Sequence, residues 1–118
     1  MKYIALIYMD PAKSPPPESP DFGKMMSDYG IATQTYKTNG AWIAGEALQP
    51  VMTATTVRVK NGRTETMDGP FAETKEHLGG LYVLDCADLD EAIGYAAMIP
   101  HAAMGSVEVR PIWTIDRA

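Results

Sequence analysis

The sequence predicts an α+β domain in which two helices cover one face of an antiparallel sheet. Strand-like and helix-like segments follow one another in the order strand, helix, strand, strand, helix, strand, with a hairpin inserted after the second strand. Two split βαβ units in this order form a ferredoxin-like sandwich. At 118 residues the chain is long enough for one hydrophobic core, so we expect a single domain, 1–118.

Composition and charge exclude several classes of function. Apolar residues make up 46% of the chain and charged residues 21%, as in ordinary folded domains. The net charge is −5 and Lys and Arg form no cluster, which argues against nucleic acid and anionic membranes as partners. No apolar run is long enough to cross a bilayer, and Met1-Lys2-Tyr3 leads directly into a strand pattern, so we expect no signal peptide. The single cysteine, Cys86, has no partner for an internal disulfide, so we expect a cytoplasmic protein.

The first third of the chain predicts a strand, a stiff loop and a helix. Residues 3–9 are apolar on both faces, as in a central strand. Residues 10–20 contain five prolines, so they form a loop that either connects two elements or covers a binding site. Ser19 is the predicted N-cap of a helix that ends near Asn39-Gly40. Its apolar stripe, expected to be core, consists of Phe22, Met25, Met26, Tyr29, Thr33 and Tyr36.

The second strand carries an acidic residue on an otherwise apolar face. Residues 41–48 form this strand, and alternation places Glu46 on the same face as Trp42, Ala44 and Leu48. A carboxylate on such a face needs a partner unless it reaches solvent at the end of the strand. Both interpretations of Glu46 stay open at this point.

A hairpin then leads into the most unusual segment of the sequence. Residues 55–60 and 63–67 are joined by Asn61-Gly62, which predicts a type I′ turn. The segment Asp68-Gly69-Pro70-Phe71 follows. An aspartate at the head of a turn normally accepts a hydrogen bond from the amide two residues on, but Pro70 has no N–H. The Asp68 carboxylate therefore caps the turn through a later amide, faces solvent or binds a ligand.

The second half of the chain predicts another strand, helix and strand. Gly79-Gly80 is interpreted as a hinge before a strand at residues 81–85. Asp88 and Glu91 form a capping box that begins a helix, and Pro100 ends it. The expected buried stripe of this helix is Leu89, Ala92, Ile93, Ala96 and Ile99. In the last strand, residues 106–115, one face carries Val107, Val109, Pro111, Trp113 and Ile115, and the other carries Glu108 and Arg110.

The predicted sheet has helices on one face only, which leaves its second face uncovered. The strands are too apolar for that face to be simply solvated. A homodimer that packs sheet against sheet would cover it, so we expect a homodimer.

Sequence segments along nearly the whole chain resemble the YCII-related family and its DGPF-domain subgroup. They are Met1-Lys2-Tyr3, Leu6-Ile7-Tyr8, Gly45-Glu46-Ala47-Leu48-Gln49-Pro50, Thr55-Thr56-Val57-Arg58-Val59, residues 68–76, Gly79-Gly80-Leu81-Tyr82, Asp88-Leu89-Asp90-Glu91-Ala92, Ile99-Pro100 and residues 105–111. The resemblance implies a dimeric α+β barrel, in which two ferredoxin-like subunits press their sheets together and leave a cleft near the interface.

For function the resemblance implies two different roles. Members close to the founding YciI type carry a His–Asp pair proposed as an acid/base dyad, and one relative is a dehydrochlorinase. This sequence has no histidine in or just before its first helix, so the dyad does not transfer intact; its histidines are His77 and His101. Other DGPF-type members resemble partners encoded beside extracytoplasmic-function sigma factors, which implies a regulatory or stress-linked role.

Two hypotheses of function follow. In the first, the protein is a cofactor-independent acid/base enzyme, lyase- or dehydrochlorinase-like, with Asp68 or Glu46 as base and His77 as auxiliary acid. Arg110 would bind a substrate anion unless it only pairs with Glu108. Phe71 and Lys75, in the same segment as Asp68, are the other candidate ligand-binding residues. In the second, the dimer binds a small ligand without chemistry and acts in regulation.

Other kinds of site find little support in the sequence. Two isolated histidines and scattered carboxylates do not form a metal-ligand pattern, and no glycine-rich phosphate loop leads from a strand into a helix. We therefore expect neither a metal nor another cofactor. Cys86 is expected to be a small buried side chain, and His101 a loop or helix-end residue.

Overall fold

The computed structural model describes residues 1–115 of the chain. Its elements are β1 (Lys2–Met9), α1 (Pro20–Thr38), β2 (Trp42–Ala47), β3 (Thr55–Lys60), β4 (Arg63–Asp68), β5 (His77–Asp85), α2 (Leu89–Ala97), α3 (His101–Met104) and β6 (Gly105–Pro111). A single 3₁₀ turn, Val51–Thr53, precedes β3. No helix in this part of the chain has both the length and the apolar character that crossing a membrane requires.

Four strands form the main sheet in the order β2-β5-β1-β6, and every neighbouring pair is antiparallel. This order is compatible with the ferredoxin-like fold that the sequence predicts. Strands β3 and β4 form a separate two-stranded sheet. The hairpin is therefore an arm inserted between β2 and β5, not an extension of the main sheet.

The hydrophobic core lies between the main sheet and the helices. Alternate residues of β1, namely Tyr3, Ala5 and Ile7, are buried on the helical side. Tyr36 of α1 is fully buried in the cluster that contains Tyr3, and Ile99 packs with Ala5 and Ile7. The intervening side chains of β1, Ile4, Leu6 and Tyr8, point to the opposite face of the sheet and are only partly buried.

Local signals at the helix ends and at the hairpin turn are confirmed. The Phe22 amide donates to Ser19 Oγ at the start of α1, and the Glu91 amide donates to Asp88 Oδ1 at 2.9 Å at the start of α2. Asn61 and Gly62 have φ values of 51° and 74°, as a type I′ turn requires. Each feature depends on residues within a few positions of one another, which explains why the sequence shows them.

The interpretation of Gly79-Gly80 as a hinge is wrong, because both glycines lie inside β5. A Cβ on Gly80 would come within 2.9 Å of the Glu46 carbonyl oxygen, and one on Gly79 would meet the Met9 sulfur. The glycines therefore allow neighbouring chain segments to approach closely, and β5 begins four residues earlier than predicted, at His77.

A β-bulge in β2 changes which of its side chains share a face. Trp42 pairs with Leu84 and Ala44 with the next residue of β5, so Ile43 has no partner in the ladder. A Cβ on Gly45 would contact the Trp42 ring. Trp42 therefore shares its face with Gly45, and the prediction that it shares one with Ala44 is wrong.

The end of the chain departs from the predicted pattern in three places. Pro100 does not simply end α2, since it is the N-cap of the short helix α3. Of the predicted stripe of α2, Leu89 and Ile93 are about half exposed. Strand β6 ends at Pro111, and Trp113 beyond it is 85% exposed. The alternation of apolar residues in the sequence continues to Ile115, whereas Pro111 is the last residue that has a strand partner.

Candidate functional site

A cavity of about 640 Å³ lies between α1, the β2–β5 side of the sheet and the proline-rich loop. This volume is in the range of small-molecule sites. Its helical wall is formed by Phe22, Met25, Met26, Tyr29 and Thr33. These are five of the six residues that the sequence predicts to be core, and only the sixth, Tyr36, is fully buried.

The proline-rich loop is part of the cavity wall. Ser14 and Pro15 line it, so the loop does more than connect β1 to α1. The backbone oxygen of Asp10 accepts hydrogen bonds from the amides of Lys13 and Ser14, which folds the start of the loop back on the end of β1. These bonds hold the start of the loop in a turn, and Ser14 and Pro15 contribute to the cavity wall.

His101 is the polar centre of the cavity. Helix α3 begins at His101 directly after the buried residue Ile99 and Pro100, and this places the imidazole in the cavity wall with 2% of the residue exposed. Its Nδ1 is 2.5 Å from the Tyr29 hydroxyl oxygen, and its Nε2 is 3.2 Å from Ser14 Oγ. The expectation that His101 is a loop or helix-end residue is confirmed, since it is the first residue of α3, but the sequence did not predict its position in a cavity wall.

The hydrogen bonds around His101 define its tautomer. Ser14 Oγ–H donates to the Asp10 carbonyl oxygen at 2.9 Å, so Ser14 Oγ accepts from His101. Nε2 then carries the proton, and Nδ1 accepts the hydrogen bond that the Tyr29 hydroxyl donates. Polar contacts thus run from Tyr29 through His101 and Ser14 to the backbone of Asp10.

Burial favours the uncharged forms of both His101 and Tyr29. Desolvation lowers the pKa of His101, because a charged imidazolium is poorly solvated at this position. Desolvation also raises the pKa of Tyr29, and the neighbouring Tyr82 adds to the effect. At neutral pH the pair is therefore a neutral imidazole and a neutral phenol. Such an imidazole can accept a proton.

Asp10 lies behind this chain of contacts and is almost completely buried. Its Oδ1 accepts from the Ala12 amide at 3.0 Å, while its Oδ2 has no hydrogen-bond partner among residues 1–115. The Nζ of Lys75 is 3.9 Å from Oδ2. Lys75, a predicted ligand-binding residue, thus forms an ion pair that ties the segment after Phe71 to the end of β1.

A second cavity, of about 670 Å³, lies beside the hairpin arm. Phe71 and His77, both predicted site residues, line it. The segment that leads to Phe71 is fixed by backbone contacts, since the Gly69 amide donates to the Ala54 carbonyl oxygen at 2.7 Å and the Thr56 hydroxyl donates to the Gly69 carbonyl oxygen at 2.9 Å. Gly69 has a φ of 93°, which favours glycine there.

The other predicted site residues lie apart from one another. Asp68 is exposed at the end of β4, opposite Thr55. Glu46 lines the first cavity from an exposed position on β2. Arg110 lies on β6 with its Nε 3.8 Å from Glu108 Oε2, the ion pair that the sequence suggests. Within a single chain, the six predicted site residues therefore do not form one site.

Sequence reasoning missed the group formed by Ser14, Tyr29 and His101. The one available signal is Tyr29 in an apolar stripe, because a partly buried tyrosine hydroxyl needs a hydrogen-bond partner. The sequence does not identify that partner, which lies 72 positions away in the chain. Among residues 1–115, no three His, Cys, Asp or Glu side chains are grouped so that they could hold a metal ion.

Comparison with known proteins places these features in a family context. The YCII-related domain matches residues 1–116 of the chain. An uncharacterized protein from Rhizobium meliloti (strain 1021) is 39% identical over 114 residues, which cover 95% of this chain and 92% of that protein.

Proposed function

The chain belongs to the YCII-related domain family, and on that premise we propose that it binds a small organic molecule in the His101 cavity and acts on it by acid–base chemistry without a cofactor. The observation that carries the proposal is the buried imidazole between two hydroxyl groups in a largely apolar cavity. Apolar walls with a few convergent polar groups are typical of small-molecule sites. An imidazole whose pKa is lowered by burial remains a base at neutral pH.

The reaction we propose is an elimination, as in a lyase or a dehydrochlorinase. The Tyr29 oxygen takes a proton from a carbon of the substrate while its own proton moves to His101 Nδ1. The electron pair of the broken C–H bond forms a C=C bond, and the leaving group departs with its bonding electrons. The resulting imidazolium keeps its hydrogen bond to Ser14 through Nε2–H. Glu46, which also lines the cavity, is the second candidate for the base.

A second candidate function is ligand binding without chemistry, in a regulatory dimer. The observation that favours it is that both imidazole nitrogens already have partners within the protein. A substrate proton can then reach His101 only through Tyr29. The resemblance to DGPF-type partners of extracytoplasmic-function sigma factors agrees with such a role, and a cytoplasmic location belongs to the same proposal.

We also propose that the protein acts as a homodimer. The second cavity, with Phe71 and His77, and the exposed residues Asp68 and Arg110 would then lie on the uncovered side of each chain, where a partner can approach. The proposed ligand-binding roles of Phe71, Lys75 and Arg110, and the catalytic roles of Asp68 and His77, depend on that second copy.

The test uses 3-chlorocyclohexanone, an uncharged molecule in which the acidic C–H bond beside the carbonyl and the chloride leaving group are on adjacent carbons. Enone formation and chloride release are followed by NMR and by a chloride electrode. We expect Tyr29→Phe to lower the rate by about 10²-fold, the scale of one acid–base group, while the phenyl ring preserves the packing. Glu46→Gln tests the second candidate for the base, and it should leave the rate nearly unchanged if Tyr29 is the base.

The outcomes separate the two functions. A loss of rate in Glu46→Gln but not in Tyr29→Phe would move the base to Glu46. Saturable binding of the probe in the cavity, with no enone above the buffer rate in any variant, would contradict the enzyme and leave the regulatory alternative.

A further inference from the structure

We propose that the His101 cavity selects uncharged, largely apolar molecules and rejects anions. This inference rests on the proposed function, since it specifies the class of molecule that the same cavity takes. It differs from the expectation that Arg110 anchors a substrate carboxylate, and it follows from the charges and polar groups of the cavity wall.

The charged side chains of the cavity wall disfavour a bound anion. Among residues 1–115, the side chains that line the cavity include no lysine and no arginine. The carboxylate there is Glu46, and burial favours the neutral form of His101. A carboxylate or phosphate in the cavity would therefore lose hydration without gaining a counter-charge, which is strongly unfavourable.

A lysine contacts one of the aromatic side chains of this wall. The Nζ of Lys37 is 5.2 Å from the centroid of the Trp42 ring. Lys37 is exposed on α1 and is not one of the residues that line the cavity, so it lies outside the space that a ligand would occupy. It cannot replace an arginine or lysine aimed at a bound anion.

The cavity wall also favours uncharged molecules over cations. Among the described residues that line the cavity, the anionic side chain is Glu46, which is exposed. Ion pairs between exposed groups contribute little, because water competes with both partners. An ammonium group would thus gain little from Glu46 and would lose hydration against the apolar remainder of the wall.

The polar atoms of the cavity wall suit uncharged groups of a ligand. Besides the imidazole, they include the hydroxyls of Tyr29, Thr33 and Tyr82, and the last two are 3.4 Å apart. Neutral hydroxyls match a ligand hydroxyl or carbonyl by single hydrogen bonds. The surrounding methionine and aromatic side chains suit an apolar ring or chain, since thioether and aromatic groups adapt to apolar shapes.

The cavity wall also provides a fluorescent reporter. The chain has two tryptophans. Trp42 lines the cavity, whereas Trp113 is 85% exposed. In a Trp113→Phe protein all tryptophan fluorescence arises from Trp42, and the substitution removes no buried side chain.

The experiment titrates the Trp113→Phe protein at neutral pH with three probes that share one ring. They are para-nitrobenzyl alcohol, which is uncharged, para-nitrobenzoate, an anion, and para-nitrobenzylamine, a cation. Their nitro groups quench indole fluorescence on contact. We expect saturable quenching by the alcohol and an affinity for both charged probes that is at least about tenfold lower.

Two variants in the same background show where the probes bind. Ala47 is exposed on β2 and lines the cavity, so Ala47→Phe should obstruct it and abolish saturable quenching. Ala97→Phe adds the same bulk at an exposed position of α2 that does not line the cavity, and it should leave the titration unchanged.

Each outcome has a defined meaning. If the benzoate or the amine binds as tightly as the alcohol, and Ala47→Phe abolishes that binding, the charge selectivity is wrong and the proposed function stands. If no probe quenches saturably, or if Ala47→Phe changes nothing, the cavity is not a binding site for this class of molecule. The proposed function then fails together with the inference.

Discussion

At the scale of single residues, the buried polar side chains of the described chain are Asp10 and His101. Each is 2% exposed: Asp10 is the first residue of the proline-rich loop and accepts from the Ala12 amide, and His101 contacts Ser14 of the same loop. Polar groups this deep are costly unless they are hydrogen-bonded. His101 has a partner on each nitrogen, whereas Asp10 has one on a single oxygen and an ion pair at 3.9 Å on the other. The loop that covers the cavity is therefore attached to the fold through polar contacts.

The first prediction concerns the pH dependence of stability that His101 produces. Burial lowers its pKa in the folded protein relative to the unfolded value of about 6.5, so the unfolded chain binds more protons between the two values. This contribution to the free energy of unfolding is complete above the unfolded pKa. It is lost as the pH falls toward the folded pKa. We expect urea denaturation to show a decline of up to about 1.4 kcal/mol per pH unit below about pH 6.5.

A histidine substitution provides the control for that measurement. His101→Gln should flatten the decline, whatever its effect on total stability, and His77→Gln should preserve it because His77 is not buried. An equal slope in wild type and His101→Gln would contradict the assignment.

The second prediction concerns Asp68, because its structural and functional interpretations predict different stabilities for the Asp68 variants. Its carboxylate is exposed and makes no hydrogen bond to another residue within 1–115, and the adjacent turn is held by the Gly69–Ala54 and Thr56–Gly69 bonds. We therefore expect Asp68→Ala and Asp68→Asn both to change the free energy of unfolding by less than about 0.5 kcal/mol, as surface substitutions do. Thermal melting of the three proteins measures this. A loss of 0.5–2 kcal/mol in the alanine variant that asparagine restores, the scale of about one helix cap, would identify Asp68 as structural instead.

At the scale of elements, close backbone approach determines the geometry of β5. The strand pairs with both β1 and β2, and Gly80 faces the Glu46 carbonyl oxygen at a distance that leaves no room for a side chain. Strand β5 also forms part of the cavity wall, because Gly79, Gly80 and Tyr82 all line the cavity. The glycines therefore make the space that a ligand would occupy, in addition to allowing the strands to pair.

The third prediction compares two glycine-to-alanine substitutions. Gly80→Ala should destabilise the protein by about 1–3 kcal/mol, since the new methyl group would lie 2.9 Å from a backbone oxygen that cannot rotate away. Gly30→Ala in α1 should stabilise it by about 0.5–1 kcal/mol, because nothing lies within 4 Å and alanine favours the helix. Chemical denaturation of both variants measures the pair. Equal effects would show that the close contact in β5 relaxes at no cost.

At the scale of the whole molecule, the chain exposes more surface than a monomer of its size should. Its accessible surface is 8267 Å², against about 6,300 Å² expected for 12.8 kDa. Its radius of gyration is 16.4 Å, against about 13.5 Å for a compact domain of this length. Exposed apolar side chains lie on the hairpin arm, just after it and after β6, where Val59, Phe71 and Trp113 are 67%, 75% and 85% exposed. A surface of this kind favours association with a second chain.

The fourth prediction is the state of assembly. We expect a homodimer of about 26 kDa, twice the mass of the chain, that buries at least about 1,200 Å² in total, the lower limit for a specific interface. Light scattering on a size-exclusion column at micromolar concentration measures the mass. A mass of 12.8 kDa under those conditions would contradict the dimer and, with it, the roles proposed for Asp68, Phe71 and Arg110.

The sequence by itself determined the features whose physical cause is local. The N-caps Ser19 and Asp88, the Asn61-Gly62 turn and the order of the elements depend on residues a few positions apart. Amphipathic periodicity showed which face of α1 turns inward, although it could not distinguish a packed core from a cavity wall, because both require apolar side chains.

Only the tertiary structure decided the site. His101 contacts Tyr29, which is 72 positions away in the sequence, and Ser14, which is 87 positions away. No local sequence pattern predicts such contacts. The bulge at Ile43 moved Trp42 onto the face of Gly45, and Pro100 turned the chain so that His101 entered the cavity wall. These outcomes depend on how the sheet, helix α1 and the loop pack together, since that packing determines which polar groups lose water and which partners replace it.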